Sequence, residues 1–288
     1  MEPIAYANIV IISIICLCSY KAFTDRDFKD LFLFIPHRII EHKEYYRIIS
    51  SAFIHAGIPH LVFNCFSLYS FGSSIEFIYG SSYFLIIFFS SVIGGDLLSL
   101  IIHRNHAYSA LGASGGVCGV IFSSIFLLPH GSVQMFFIPV PIPSSFYAIL
   151  FLVISIYGIK SHYDNIGHDA HLGGAIIGLL VTTVLKPEIV KQSIYLYIIV
   201  LSISLMFFYY LYVTKGLNVP FIFTFYKDIY DYFSQIKRKK DHNLVEKHNK
   251  QVDDILLKIS KEGMKSLTKR ENEILTQASK KKRNKHNK

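Results

Sequence analysis

Residues 83–102 read YFLIIFFSSVIGGDLLSLII, from Tyr83 to Ile102, with Asp96 as the one charged side chain. A helix needs about 20 apolar residues to cross the ~30 Å of a bilayer's hydrocarbon core, and this block has that length. Similar blocks run Ile4–Tyr20, Pro59–Ile78, Ser114–Leu128, Phe146–Ile159, Ala170–Leu185 and Ile194–Val213, giving seven expected spans. The blocks at 114–128 and 146–159 are short, and are expected to extend backward through Ala110–Ala113 and Pro143–Ser145. Of the 288 residues, 52% are hydrophobic and 17% charged. A soluble domain carries about 25% charged residues, so the composition excludes a soluble hydrolase and points to an all-α, multi-pass membrane bundle.

The net charge of +9 is concentrated at one end. Residues 215–288 hold 19 Lys/Arg against 9 Asp/Glu, whereas residues 1–214 hold 10 against 11. The basic character therefore belongs to a tail. Beside a membrane such a tail meets anionic lipid head groups or stays solvated, and no nucleic-acid partner is expected. Lys237-Arg238-Lys239-Lys240 opens the basic part, and another basic run ends the chain. Between them Ile255, Leu256 and Ile259 have helical spacing, Gly263 can end that helix, and Thr268-x-x-Glu271 reads as a capping box for a second. The expected organisation is a membrane core over 1–190, a seventh span over 191–214 and a partly helical soluble tail over 215–288.

The first block is read as a span rather than a signal peptide, since no Lys or Arg precedes it and no small-x-small site follows. Residues 24–55 are too apolar for a loose loop and too charged to span, which suits the membrane interface. The four cysteines (Cys16, Cys18, Cys65, Cys118) all lie in apolar segments, so no disulfide framework is expected.

Polar side chains inside apolar spans are functional candidates, because hydrocarbon cannot solvate them. The second span opens with His60 and Asn64, the fourth with Gly112-Ala113-Ser114-Gly115, and the sixth with His168, Asp169 and His171. Consecutive spans alternate in direction, so the N-terminal ends of spans two, four and six share one side of the membrane. Each set alone has a plain reading: small residues pack helices, and a histidine or asparagine can simply bond to a neighbour. Together they place a hydroxyl, a base and amide donors at one depth. A serine needs a base to take its proton, and histidine suits that task near neutrality. The oxyanion formed on attack needs preorganised donors, which His60, Asn64 and the N-terminal backbone N–H groups around Ser114 could supply. Gly115-x-x-x-Gly119 and Gly174-x-x-x-Gly178 are small-residue faces that would let spans four and six approach closely; as glycines alone they serve packing equally well.

These residues in this order resemble the rhomboid family of intramembrane serine proteases. The resemblance is carried by His60-x-x-x-Asn64, Gly112-Ala113-Ser114-Gly115 and Ala170-His171-Leu172-Gly173-Gly174, with Tyr46-Arg47, Gly72 and Glu76 adding to it over residues 4–186. It implies a six-helix core, Ser114 as nucleophile and His171 as general base without a required acid. It further implies an oxyanion hole of His60, Asn64 and the Ser114 backbone, and substrates that cross the membrane once. Many relatives carry Tyr where this chain has Cys118. Asp169, two residues from His171, points elsewhere on a helix. The resemblance implies an outward-facing active site, the N-terminus in the cytoplasm, and a bacterial inner-membrane location. Five cations on the active-site side (Arg26, Lys29, Arg38, Lys43, Arg47) oppose that orientation, against Lys186 and Lys191 on the other.

Two other classes fit less well. A transporter predicts inverted repeats and broken helices, and neither is visible. An inactive rhomboid-like protein that holds membrane clients is expected to have lost the serine or the histidine. No cofactor or metal is expected: His55, His60, His168 and His171 lack the His-Glu-x-x-His spacing of a zinc site.

Overall fold

The computed structural model describes residues 5–129, 131–135, 138–161, 166–215 and 219–286. Ile4, where the first apolar block was expected to begin, and the final residues of the terminal basic run lie outside them. Among the described residues six helices have the length and composition to cross a membrane. They are α1 (Tyr6–Thr24), the continuous Ile58–Tyr79 helix, α7 (Ser81–His103), α9 (Ser144–Ser161), α10 (His168–Leu185) and α12 (Ile194–Lys215). The Ile58–Tyr79 helix is α5 (Ile58–Ser67), a π-helical turn (Leu68–Gly72) and α6 (Ser73–Tyr79).

The fourth expected span departs from this pattern. α8 (Ser114–Leu127) has 14 residues, and at 1.5 Å per residue it reaches only about 21 Å. Neighbouring helices bury every residue from Gly115 to Leu127, so α8 need not match the bilayer thickness. It does not extend back through 110–113. Ala110 pairs with Phe34 through both backbone groups (3.0 and 3.1 Å), and Gly112 has φ +125°. That extended, then left-handed path delays the helix to Ser114. α9 does extend back through Ser145 and Ser144, and stops short only of Pro143, which closes β2 (Ile138–Pro143), paired antiparallel with β1 (Ser132–Met135). Among the described residues this strand pair is the one sheet in an otherwise helical bundle.

α7, α8 and α10 pack through glycine. A Cβ on Gly174 would strike the Gly115 carbonyl, and one on Gly178 would strike Gly119. Gly95 of α7 faces the Ala170 carbonyl in the same way. Farther along α8 and α10, Thr182 donates to Ser123 Oγ (2.7 Å) and Ser123 Oγ reaches the Gly178 carbonyl (3.2 Å). With no water to compete, such bonds join helices that hydrophobicity alone would not hold together.

The start of α1 is braced in the same spirit. Its first N–H groups have no partner within the helix. Glu76 accepts from the N–H groups of Ala7 and Asn8 (2.8 Å each) and from Ser81 Oγ (2.6 Å). The Asn8 amide donates to the Leu68 carbonyl at the π-turn (2.9 Å).

Residues 24–55 fold into the short helices α2 (Arg26–Phe32), α3 (Pro36–Glu41) and α4 (Arg47–Ser50). Arg47 is fully buried, donates to the carbonyls of Asp30 (2.6 Å) and Leu33 (2.8 Å), and pairs with Glu44. Arg38 pairs with Asp30 at 2.9 Å. Two of the five cations that weigh against the expected orientation are thus engaged inside a folded segment.

A first compact unit runs through Val219, and a second begins at Pro220. The latter holds nearly all of α13 (Val219–Glu262), which Gly263 ends at φ +80°, and α14 (Lys269–His286). α11 (Glu188–Gln192) ends at Ser193, and the first unit turns there into α12. In the second unit the Thr268 backbone N–H (2.7 Å) and hydroxyl (2.8 Å) donate to Glu271, with Lys258 at 3.1 Å. These groups hold the Glu271 carboxyl down to about 2.

Gly174→Val should lower the thermal midpoint in detergent, with a cost on the order of 1–3 kcal/mol from overpacking. Gly57→Ala, where the nearest atom is Pro59 Cδ at 3.9 Å, should leave the midpoint unchanged. Equal midpoints for the two variants would show that α8 and α10 are not in close contact.

Candidate active site

Ser114 is the first residue of α8, and His171 lies in the first turn of α10. The glycine contacts bring these two helix ends together, and His171 Nε2 lies 2.7 Å from Ser114 Oγ. Val117 N–H makes the first helical bond, to the Ala113 carbonyl (2.9 Å). The N–H groups of Ser114, Gly115 and Gly116 therefore have no carbonyl within their own helix.

His60 and Asn64 occupy one face of α5. The buried Asn64 amide donates to the His60 carbonyl at 2.9 Å. The His60 ring lies against Gly112, where a Cβ would come within 2.7 Å of its Cε1. So Gly112 is needed twice over, for its backbone angle and for this contact. Its N–H bonds to the Ser51 carbonyl (2.9 Å).

Sequence reading weighed His55 only as a zinc ligand and gave it no part in this site. His55 Nε2 accepts the Ala113 N–H (3.3 Å), and its Nδ1 meets Ser19 Oγ (3.0 Å). Accepting at Nε2 makes Nδ1 the protonated nitrogen of a neutral ring, and Ser19 Oγ passes its own hydrogen to the Phe53 carbonyl (3.2 Å). Burial, with His60 nearby, pushes His55 from the usual 6.5 down to about 3. This chain ties α1 to the residue before Ser114.

The carboxylates have partners of their own. Ser51 donates to Asp96 (2.7 Å). Asp169 faces His103 at 3.1 Å, joining the end of α7 to the start of α10 rather than reaching His171. The His103 ring stacks on Tyr108 at 3.7 Å. Burial, then the carboxylates of Asp169 and Asp96, push the Tyr108 phenol well above its ordinary range, so it stays neutral. Asp96 was legible as the one charge in an apolar block. His103 and Tyr108 had no sequence signal.

Ser114, His171, His60 and Asn64 line one cavity of about 1430 Å³, which also takes in Phe63 of α5 and Tyr147 and Phe151 of α9. Cys118 is buried one turn after Ser114, and the His168 ring meets the His171 ring edge-on at 6.1 Å. Among the described residues no group of three or more His, Cys, Asp or Glu side chains is arranged to hold a metal.

The Rhomboid domain family model matches residues 42–188, which include every residue of this cluster except Ser19. The chain belongs to the rhomboid family. It is 32% identical over 149 residues to Rhomboid protein 1, mitochondrial, of Saccharomyces cerevisiae (50% of this chain, 43% of that one). It is 32% identical over 152 residues to RHOMBOID-like protein 12, mitochondrial, of Arabidopsis thaliana (46% and 44%). With Rhomboid protease GluP of Bacillus subtilis the identity is 26% over 185 residues (63% and 34%). The chain thus spans less than half the length of these rhomboid relatives. Residues 243–281, in the second unit, match a family of unknown function (DUF6576). Rhomboid membership and the six apolar helices make this an integral, multi-pass membrane protein.

His55 yields a pH prediction. Between about pH 6.5 and 3 the unfolded chain takes up a proton at His55 that the folded chain refuses, so stability falls as pH falls through that window. His55→Gln keeps an acceptor for Ala113 but cannot titrate. The wild-type thermal midpoint should drop more than the variant's between about pH 7 and about 4.5. Parallel curves would show that His55 is not buried as a neutral acceptor.

Proposed function

We propose that this chain is an intramembrane serine endopeptidase working through a Ser114–His171 dyad. The 2.7 Å approach of His171 Nε2 to Ser114 Oγ, inside a cavity among membrane helices, carries the reading. His171 takes the hydroxyl proton as Ser114 Oγ attacks the scissile carbonyl carbon. The resulting oxyanion is met by the free N–H groups at the start of α8 and by His60 and Asn64. His171 passes its proton to the departing amine, leaving an acyl-enzyme on Ser114. A water, deprotonated by His171, then hydrolyses that ester and restores the hydroxyl. Ser51, Asp96 and His103 give the same cavity a polar wall that can admit this water.

The substrates are membrane proteins with a single span. Side chains of both α5 and α9 line the cavity, which supports entry of an unwound substrate segment between those helices. Residues 1–190 form the catalytic core, 191–214 an added span and 215–288 a tail whose basic charge meets anionic lipid head groups. The membrane is the cytoplasmic membrane of a bacterium, a setting that the Bacillus relative supports and the two mitochondrial relatives do not. The site requires neither metal nor cofactor.

Purified protein in liposomes should cleave a single-span reporter. Ser114→Ala and His171→Ala should each lose several orders of magnitude in kcat/KM. Asn64→Ala should lose roughly 10²-fold in kcat. Equal cleavage by wild type and both dyad variants would exclude this dyad.

A further inference from the structure

α13 carries two apolar lines along its first four turns, on faces roughly 120° apart. Phe221, Phe225, Ile229 and Tyr232 follow one another at helical spacing and are covered to varying degrees, Phe225 down to 8% exposure. The other line is Phe223, Tyr226, Tyr230 and Phe233, spaced three, four and three residues apart, which stacks them on one helix face. They are 71%, 69%, 64% and 56% exposed. Four neighbouring rings open to water make a contiguous apolar patch that a soluble surface normally avoids.

The same line continues, four and three residues further on, into Lys237 and Lys240, both exposed, with Arg238 and Lys239 beside them. Asp228 and Asp231 fall off it. Reading along one face therefore gives four aromatic rings and then cations. Phe and Tyr suit the boundary between hydrocarbon and head groups, and clustered Lys/Arg near a span are drawn to anionic lipid. The chain is already at a membrane here, because α12 ends at Lys215, four residues before α13 begins.

We infer that the Phe223–Tyr226–Tyr230–Phe233 face lies in the lipid interface, with Lys237–Lys240 over anionic head groups, so that the start of α13 is an in-plane anchor selective for anionic membranes. The inference rests on the reading of the tail as lipid-facing and names the surface responsible. It is independent of the dyad. Hydrophobic insertion supplies the depth and the basic cluster supplies the lipid preference.

The chain has no tryptophan, so Tyr230→Trp and, separately, Leu256→Trp each introduce a sole fluorophore. The full-length variants are reconstituted in phosphatidylcholine vesicles with or without about 30% phosphatidylglycerol, using acyl chains brominated as quenchers. Tyr230→Trp should show blue-shifted emission and bromolipid quenching in the anionic vesicles. Quenching should fall roughly twofold or more without phosphatidylglycerol, or when Lys237→Glu and Lys240→Glu are added. Water-like, unquenched emission would overturn the inference. Blue-shifted emission that bromine does not quench would also overturn it, by showing that protein, such as a second copy of the chain, covers the face. Quenching at residue 256 but not at 230 would overturn this surface while sparing the lipid-facing tail. Quenching at neither position would overturn both.

Discussion

Everything at the candidate site depends on how closely α8 and α10 can lie. In hydrocarbon, two apolar helices gain little from touching each other instead of lipid, so they stay together by packing and hydrogen bonds. Gly115 and Gly119 against Gly174 and Gly178 let the backbones themselves meet. Ser123 and Thr182 then fasten the helices at a second level. One consequence is that Ser114 and His171, at the ends of these helices, share a hydrogen bond. The other is that α8 can be short, because its surface faces protein along nearly its whole length.

A bilayer also penalises every polar group left without a partner, and the fold uses that penalty to set helix ends. Glu76 and Asn8 join the start of α1 to the π-turn after α5. Arg47 gathers the carbonyls of Asp30 and Leu33 and shapes the segment before the second span. His55 takes the Ala113 N–H and Asp169 faces His103, so the backbone is held one residue before Ser114 and two residues before His171. The polar atoms near the site are thus mostly bound to one another, which leaves Ser114 and His171 at a wall already able to hold water.

The second compact unit obeys different rules. Its cations are exposed, and its clearest local order comes from the Thr268–Glu271 cap and from Lys258. Its aromatic residues divide between two sides of α13, one largely covered and one open.

The sequence by itself determined the membrane class, the helical bundle and the side on which the chemistry gathers. Those follow from block length, from the poor solvation of polar groups in hydrocarbon and from the alternation of consecutive spans, all local or additive properties. Ser114, His171, His60, Asn64 and the glycine faces were legible for that reason, and the capping box at Thr268 because its contacts lie within one turn. Only the tertiary structure decided that the helix starts at Ser114 and not Ala110, since the cause is a backbone pairing with Phe34, far away in the chain. Nor could His55, Asp96 or His103 be given a partner from spacing. Which residues meet across helices depends on how each helix is rotated about its axis, and that rotation is settled jointly by all the neighbours packed around it.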